Sequence, residues 1–277
     1  MNVTAPFRRT RYLAAAALLL SLPACAGKGS EDAVAGSKAA AAGITLVKPG
    51  KLTVCTHGPY KPFLFRDGTK SIGFDVDLLN LVAEDLDLEQ EVVNVEWIQV
   101  TSGAGFAAGK CDMGMGAMTI TKERQAAIGI TDPYMDATQV LLTTKASEIR
   151  SLADLRGKKI GVNADSTGEK YAKANAEKFG YTVIRFADLA LGENNIKSGR
   201  VDALVNDNGV LYPFAAENPE LAVVAEFDTG EKYGFAARKN DPSGTKLVER
   251  FNALLKRAKS DGSYAETYRK WFGVDPK

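Results

Sequence analysis

A chain of 277 residues, 45% hydrophobic and 25% charged, is large enough for two lobes of ordinary domain size once an N-terminal leader is set aside. Thirty-five basic against 34 acidic residues leave a formal net charge of +1, which excludes a broad electrostatic footprint for nucleic acid or for an anionic membrane face. One His and three scattered Cys hold no structural zinc pattern, and no metal or cofactor is expected.

Arg8, Arg9 and Arg11 precede an apolar run from Tyr12 to Leu22, followed by Pro23-Ala24-Cys25. This order describes a secretory signal peptide over residues 1–24, and the run is too short for a stable membrane span. Leu22-Pro23-Ala24-Cys25 resembles a bacterial lipobox, which implies that Cys25 becomes the first mature residue and carries the acyl groups. The alternative is a soluble secreted protein with Cys25 near the cut by chance. The paired arginines point weakly to twin-arginine export, but Arg11 stands where that motif has an aromatic residue, and the general pathway is favoured. From Ala26 to about Gly43 small and charged residues show no apolar periodicity, so the stretch is expected to stay unordered. Residues 25–49 therefore read as a lipid-anchored flexible tether, holding the body ~20–25 Å from the membrane at ~5–6 Å × √n.

Beyond it, strands and helices alternate, which argues for α/β layers with helices on a largely parallel sheet. Lys51 to Cys55 alternates as a strand. Leu78, Leu81, Val82 and Leu86 share one face of a helix over Asp75 to Leu86, with Asp75 placed to cap its start. Glu91 to Trp97 reads as a strand, Thr101 to Ala108 as a Gly-interrupted helix and Met113 to Ala117 as a third strand. A second set follows: a capped short helix at Ser151 to Leu155, strands at Lys159 to Val162, Tyr181 to Phe186 and Val201 to Val205, and helices at Gly168 to Phe179 and Gly192 to Ser198. Near the end Ser243 to Ser260 is amphipathic, and Ser263 is placed to cap a last helix presenting Tyr264, Tyr268 and Trp271. That helix is expected to pack back onto the first lobe. The resulting division is 50–142 with 236–277 for the first lobe, 147–231 for the second, and hinges at 143–146 and 232–235.

Gly73-Phe74-Asp75-Val76-Asp77-Leu78, the segment from Ser151 to Val162, and Asp261-Gly262-Ser263-Tyr264 with Lys270-Trp271-Phe272-Gly273 resemble, in order, the motifs of family 3 extracellular solute-binding proteins. Thr119-Ile120-Thr121-Lys122-Glu123-Arg124 looks most like the glutamine receptors of that family. The resemblance spans about Lys51 to Lys277. It implies the type II periplasmic-binding fold, in which two α/β lobes joined by two hinge strands close around one ligand. It also implies a free polar amino acid as ligand, delivered to the permease subunits of an ABC importer by a monomer that meets the membrane only through its lipid.

A zwitterion needs a cation for its carboxylate, an anion for its ammonium and a wall for its carbon frame. Arg124, after a Thr121 cap, offers a fork that binds carboxylates bidentately, with favourable partial charge from the helix start. Ser166 and Thr167 open a second-lobe helix whose backbone N–H groups make a second anion site. By the resemblance, Asp207, at the carboxyl end of a strand, accepts from the α-ammonium. Gly116 and Thr119 supply a carbonyl and a hydroxyl, and Tyr60 stands at the aromatic lid. Where the family's glutamine and histidine receptors carry an acidic side-chain reader, this sequence has His57. Asn163 and Asn206 also depart from the glutamine pattern, and Gln99 lies near the position of a second aromatic wall. His57 and Asn163 suit glutamate, aspartate, asparagine or glutamine better than arginine or lysine. Each candidate has a plainer reading, as an exposed Arg, a helix cap, a turn Asp or a rim aromatic.

Cys55 ends one strand and Cys111 begins a parallel neighbour, an offset of roughly 10 Å at ~3.3 Å per residue. That exceeds disulfide reach, so two free, buried thiols are expected. The rival function is an enzyme on the same fold, such as a cyclohexadienyl-type dehydratase with His57 and Asp207 in the cleft, but no catalytic pairing is visible and no enzyme is expected. A sensor ectodomain would need a separate partner, since no membrane or kinase segment follows Lys277.

Overall fold

The computed structural model describes residues 38–276. The signal peptide, Cys25 and the first part of the tether lie outside them. In chain order the strands are β1 (Lys51–Thr56), β2 (Phe65–Asp67), β3 (Lys70–Ile72), β4 (Glu89–Asn94), β5 (Met113–Gly114), β6 (Gly129–Ile130), β7 (Met135–Thr144), β8 (Lys159–Asn163), β9 (Thr182–Phe186), β10 (Ala203–Asp207), β11 (Leu221–Tyr233) and β12 (Ala236–Ala237).

Two five-stranded sheets result, ordered β4-β1-β5-β12-β6 and β11-β7-β10-β8-β9, with β2 and β3 as a separate hairpin. In the first sheet β1 runs parallel to β4 and β5, and β12 lies antiparallel to β5 and β6. In the second, β8 is parallel to β9 and β10, while β7 is antiparallel to β10 and β11. The continuous burial of Leu52 to Thr56 is that of a parallel strand covered on both faces.

The helix Phe74–Asp85 forms where expected, with Leu78, Leu79, Val82 and Ala83 buried. Asp75 does not cap it. Gly73 is the N-cap, at φ 142°, and a Cβ there would sit 2.1 Å from the Phe63 carbonyl oxygen, so glycine is required. Asp75 turns into the protein instead. Glu91 to Trp97 also splits: the strand ends at Asn94 and Trp97 opens a short helix, Trp97–Thr101.

The chain leaves the first sheet after Ile130 and enters the second at Met135, so the first crossing is 131–134 and not 143–146. Thr143 and Thr144 are the last two residues of β7, Thr143 paired with β10 and both paired with β11. Residues 135–142, assigned to the first lobe from the sequence, therefore belong to the second; the apolar pattern of β7 carries no mark of which sheet it joins. The return crossing is Gly234–Phe235, between the end of β11 and the start of β12. The last helices, Pro242–Asp261 and Ser263–Phe272, pack onto the first lobe, with Phe251, Leu254, Leu255 and Tyr264 in its core.

Part of the expected tether is ordered. Lys38–Ala41 forms a helical turn, and Ala39 and Ile44 are buried in the first-lobe core with Leu247, Phe251 and Leu254. The Thr45 N–H donates to Ser243 Oγ at 2.9 Å, and the Val47 N–H to Asp112 at 2.8 Å. Composition misleads here because two apolar side chains, Ala39 and Ile44, suffice once a preformed groove receives them.

Cys55 and Cys111 form a disulfide, with Cα atoms 5.5 Å apart. The expected parallel pairing of β1 with β5 is present, Cys55 facing Gly114. However, β5 begins only at Met113, and the chain bends at Lys110 and Asp112. The Asp112 N–H donates to the Thr53 carbonyl at 2.9 Å while its carboxylate accepts from the Thr53 N–H and hydroxyl. Cys111 thus folds over the sheet toward Cys55 rather than extending the strand away from it.

Candidate functional site

The lobes meet across a narrow cleft that is partly open to solvent. It is lined by all nine residues proposed from the sequence: His57, Tyr60, Gly116, Thr119 and Arg124 from the first lobe, Asn163, Ser166, Thr167 and Asp207 from the second. The lobes are closed on each other. Tyr60 donates to Asn206 Oδ1 at 2.8 Å and to Asp207 at 3.3 Å, Lys61 pairs with Glu217 at 2.6 Å, and Phe63 abuts Gly209.

Arg124 is the third residue of the helix Lys122–Ala127, whose Thr121 cap accepts from the Arg124 N–H. Its side chain is buried, donating to the Thr119 carbonyl at 2.9 Å and, across the cleft, to the Asp165 carbonyl at 3.3 Å, with its guanidinium over the Trp97 ring. Burial pushes its pKa down and the charges of Asp207 and Glu231 pull it back; a guanidinium stays a cation throughout. Carbonyl partners leave that charge uncompensated, and a ligand carboxylate would compensate it.

Asp207 ends β10 and is 5% exposed. Its Oδ1 accepts from Gln139 Nε2 at 2.5 Å and its Oδ2 from the Tyr233 hydroxyl at 2.7 Å. Burial, then the nearby Glu231 charge, raise its pKa to about 6, against the lowering effects of Tyr233, Gln139 and Arg124. A buried carboxylate held this high favours an incoming cation.

Ser166 caps the helix Thr167–Phe179, accepting from the Glu169 N–H at 3.0 Å, while its hydroxyl donates to the Asn163 carbonyl at 2.7 Å. The side chain is committed to the cap. The first backbone N–H groups of the helix have no intrahelical partner and are available to an anion. His57 closes one end of the cleft: Nδ1 lies 2.8 Å from the Val95 carbonyl and Nε2 3.1 Å from that of Ala187 in the other lobe. Gly116, at φ 136°, brings the backbone against Trp97, where a Cβ would stand 3.1 Å from the ring.

Four residues of this site were not reached from the sequence. Trp97 is the second aromatic wall; Gln99 points away and accepts from Lys110 at the surface. Gln139, fully buried, links Asp207 to Glu231. Glu231 binds the hydroxyls of Thr119 and Thr167. Asp75, fully buried, accepts from the N–H groups of Gly116 and Ala117 and from Tyr134, and burial raises its pKa to about 6. The one available signal was the acidic Asp75 inside the Gly73–Leu78 motif, which the sequence assigned to a helix cap instead.

A guanidinium and a carboxylate facing one cleft from separate α/β lobes define a binding protein for a small zwitterion. The chain belongs to the bacterial extracellular solute-binding proteins, family 3, whose model matches residues 52–274. It is 34% identical over 208 residues to the ABC transporter glutamine-binding protein GlnH of Bacillus subtilis (strain 168), covering 74% of each chain. It is also 34% identical over 227 residues to a probable histidine-binding protein of Campylobacter jejuni subsp. jejuni serotype O:2, covering 79% of this chain and 84% of the relative. Among solved structures, an ancestral arginine-binding protein bound to arginine superposes with a TM-score of 0.74 at 37% identity, over 80% of this chain and 98% of that one. The fold is the two-lobed periplasmic-binding type; the chain is a solute-binding protein rather than an enzyme, and the relatives above are named as amino-acid-binding proteins, the Bacillus subtilis one of an ABC transporter.

Proposed function

We propose that the protein captures a free polar amino acid with a neutral or acidic side chain, of the glutamine, glutamate, asparagine or aspartate kind, and delivers it to the permease subunits of an ABC importer. One observation carries this reading: Arg124 and Asp207 line one cleft from opposite lobes. The ligand carboxylate goes to Arg124 and to the free backbone N–H groups that open the helix Thr167–Phe179, not to the Thr167 hydroxyl. Its ammonium goes to Asp207 with Thr119 and Gly116, and its carbon frame lies between Tyr60 and Trp97. His57 and Asn163 face the side chain. Asp207 is the carboxylate among the described residues lining the cleft, and the ammonium engages it, so an arginine or lysine side chain would lack a counter-charge. Closure removes water from these charges, and the ligand therefore selects the closed form.

A thermal-shift screen of the twenty amino acids tests the ligand class, since a tight ligand stabilises the fold by mass action. Arg124→Ala and Asp207→Ala should each cost ~2–5 kcal/mol of binding by calorimetry; unchanged affinity in either would refute the clamp. Outside the described residues, Cys25 is the proposed lipid anchor of a monomer on the outer face of the membrane. Cys25→Ser should then move the protein from the membrane fraction to the soluble one, and retention there would end that part of the reading.

A further inference from the structure

Between Phe227 and Glu231 the β11–β7 ladder breaks register: Phe227 faces Gln139 and Glu231 faces Ala137, so three residues of β11 stand against one of β7. The bulge turns on Gly230, at φ 65°, whose N–H donates to Asp228 Oδ1 at 2.9 Å. It aims Glu231 at the joint between the lobes. There Oε2 accepts from the hydroxyl of Thr119 in the first lobe at 2.7 Å and of Thr167 in the second at 2.8 Å. Oε1 accepts from Thr229 at 3.0 Å, and the Gln139 amide donates to both oxygens at 3.2 and 3.3 Å.

A threonine hydroxyl carries one proton and two lone pairs, whereas an ionised carboxylate only accepts. The two hydroxyl oxygens also lie 3.3 Å apart, and the Gln139 amide donates to Thr167 Oγ1 at 3.4 Å. With both protons drawn to the charged Glu231 by the shorter contacts, the lone pairs that remain free are what Thr119 and Thr167 present to the cleft. We infer that Glu231 is a positioning residue that fixes these two hydroxyls as acceptors, so that the site selects a ligand carrying an α-ammonium and rejects its des-amino counterpart. This rests on the amino-acid reading above and deepens it. An acceptor pair beside Asp207 welcomes an N–H donor, and a carboxylate placed there would meet lone pairs. The ligand carboxylate is thereby directed to Arg124, and the bound orientation is set by a side chain that does not line the cleft.

The test is Glu231→Gln, which keeps shape but puts an N–H donor against a threonine oxygen, so that one hydroxyl turns its proton into the cleft. The probes are glutamine, glutamate, asparagine and aspartate, each against its des-amino partner: glutaramate, glutarate, succinamate and succinate. At an unchanged melting temperature, E231Q should lose about 10- to 100-fold in affinity for the amino acid, the range of one hydrogen bond to a charged group, and none for the partner. In a Thr119→Val, Thr167→Val background the same substitution should add no further loss, because there are no hydroxyls left to orient. An undiminished amino-to-des-amino ratio in E231Q, or equal losses for both ligands, overturns the inference while leaving the clamp intact. Wild-type protein that binds none of the four amino acids overturns both.

Discussion

The first-lobe wall of the cleft is held from inside: Asp75, fully buried, fixes the backbone of Gly116 and Ala117, and the Cys55–Cys111 disulfide ties the end of β1, which leads to His57, to the segment that enters β5 ahead of Gly116. The second-lobe wall hangs instead on a helix start and on ion pairs near the surface. Glu169 receives the Asp165 N–H at 2.7 Å and pairs with Lys173 and Arg185, both about half exposed. Burial works to raise the Glu169 carboxyl, but these partners hold it below its usual range. Groups withdrawn from water lose far more when one partner is removed than groups at the surface do. The Gly116 part of the first wall is thus held more firmly than the helix start at Ser166 and Thr167 in the second, whose setting can be altered more cheaply.

The largest effect expected from breaking this asymmetry is at Asp75. Asp75→Ala strands the Gly116 and Ala117 N–H groups and the Tyr134 hydroxyl, and should cost at least ~3 kcal/mol in denaturant unfolding, at ~1–3 kcal/mol for each of the three orphaned groups. A cost below that of a surface pair would show the buttress to be idle. Replacing both Cys55 and Cys111 with Ala should cost ~2–4 kcal/mol, as for other disulfides closing loops of this length, and should weaken ligand binding, since His57 and Gly116 follow the tied strands. Unfolding and calorimetry on the double variant give both numbers.

Acid should act on the second wall through Asp207. Its pKa of about 6 in the ligand-free protein must fall when an ammonium binds, so affinity should drop by up to about tenfold per pH unit below that value. For the ligand-free protein the sign is opposite: a raised carboxyl stabilises below its unfolded pKa of about 3.9, and that contribution is lost as pH rises through about 6. Calorimetry and melting between these limits, on wild type and Asp207→Asn, separate the two; a slope that persists in the variant assigns it elsewhere. The smallest effect is expected from Arg185→Ala, within ~1 kcal/mol of stability, because its guanidinium is half exposed. A larger loss would place the second wall on the same footing as the first.

The layered fold was legible because hydrophobic period and caps are local: Ser166, Thr121 and the Leu78–Val82 face each sit where their neighbours in the chain dictate. Arg124 was placed by the Thr119–Arg124 motif and Asp207 by the end of its strand, and both line the cleft. Features depending on distant segments were not. Nothing beside Cys111 announces the bend that brings it to Cys55, nothing in β7 declares its sheet, and Glu231 reaches Thr119 and Thr167 only through a bulge paired to a strand about ninety residues earlier. Trp97 was missed for a nearer reason: its β-branched neighbours Val93, Val95 and Ile98 hid the helix that turns its ring to Arg124.

The strap from Lys38 to Lys48 is fastened to the first lobe alone, through Lys246 and Ser243 of the helix Pro242–Asp261 and through Asp112. A pull applied upstream of Lys38 therefore enters one rigid body and does not span the hinge. Whatever restrains the chain on that side bears on the first lobe, and the crossings at 131–134 and Gly234–Phe235 carry none of the load.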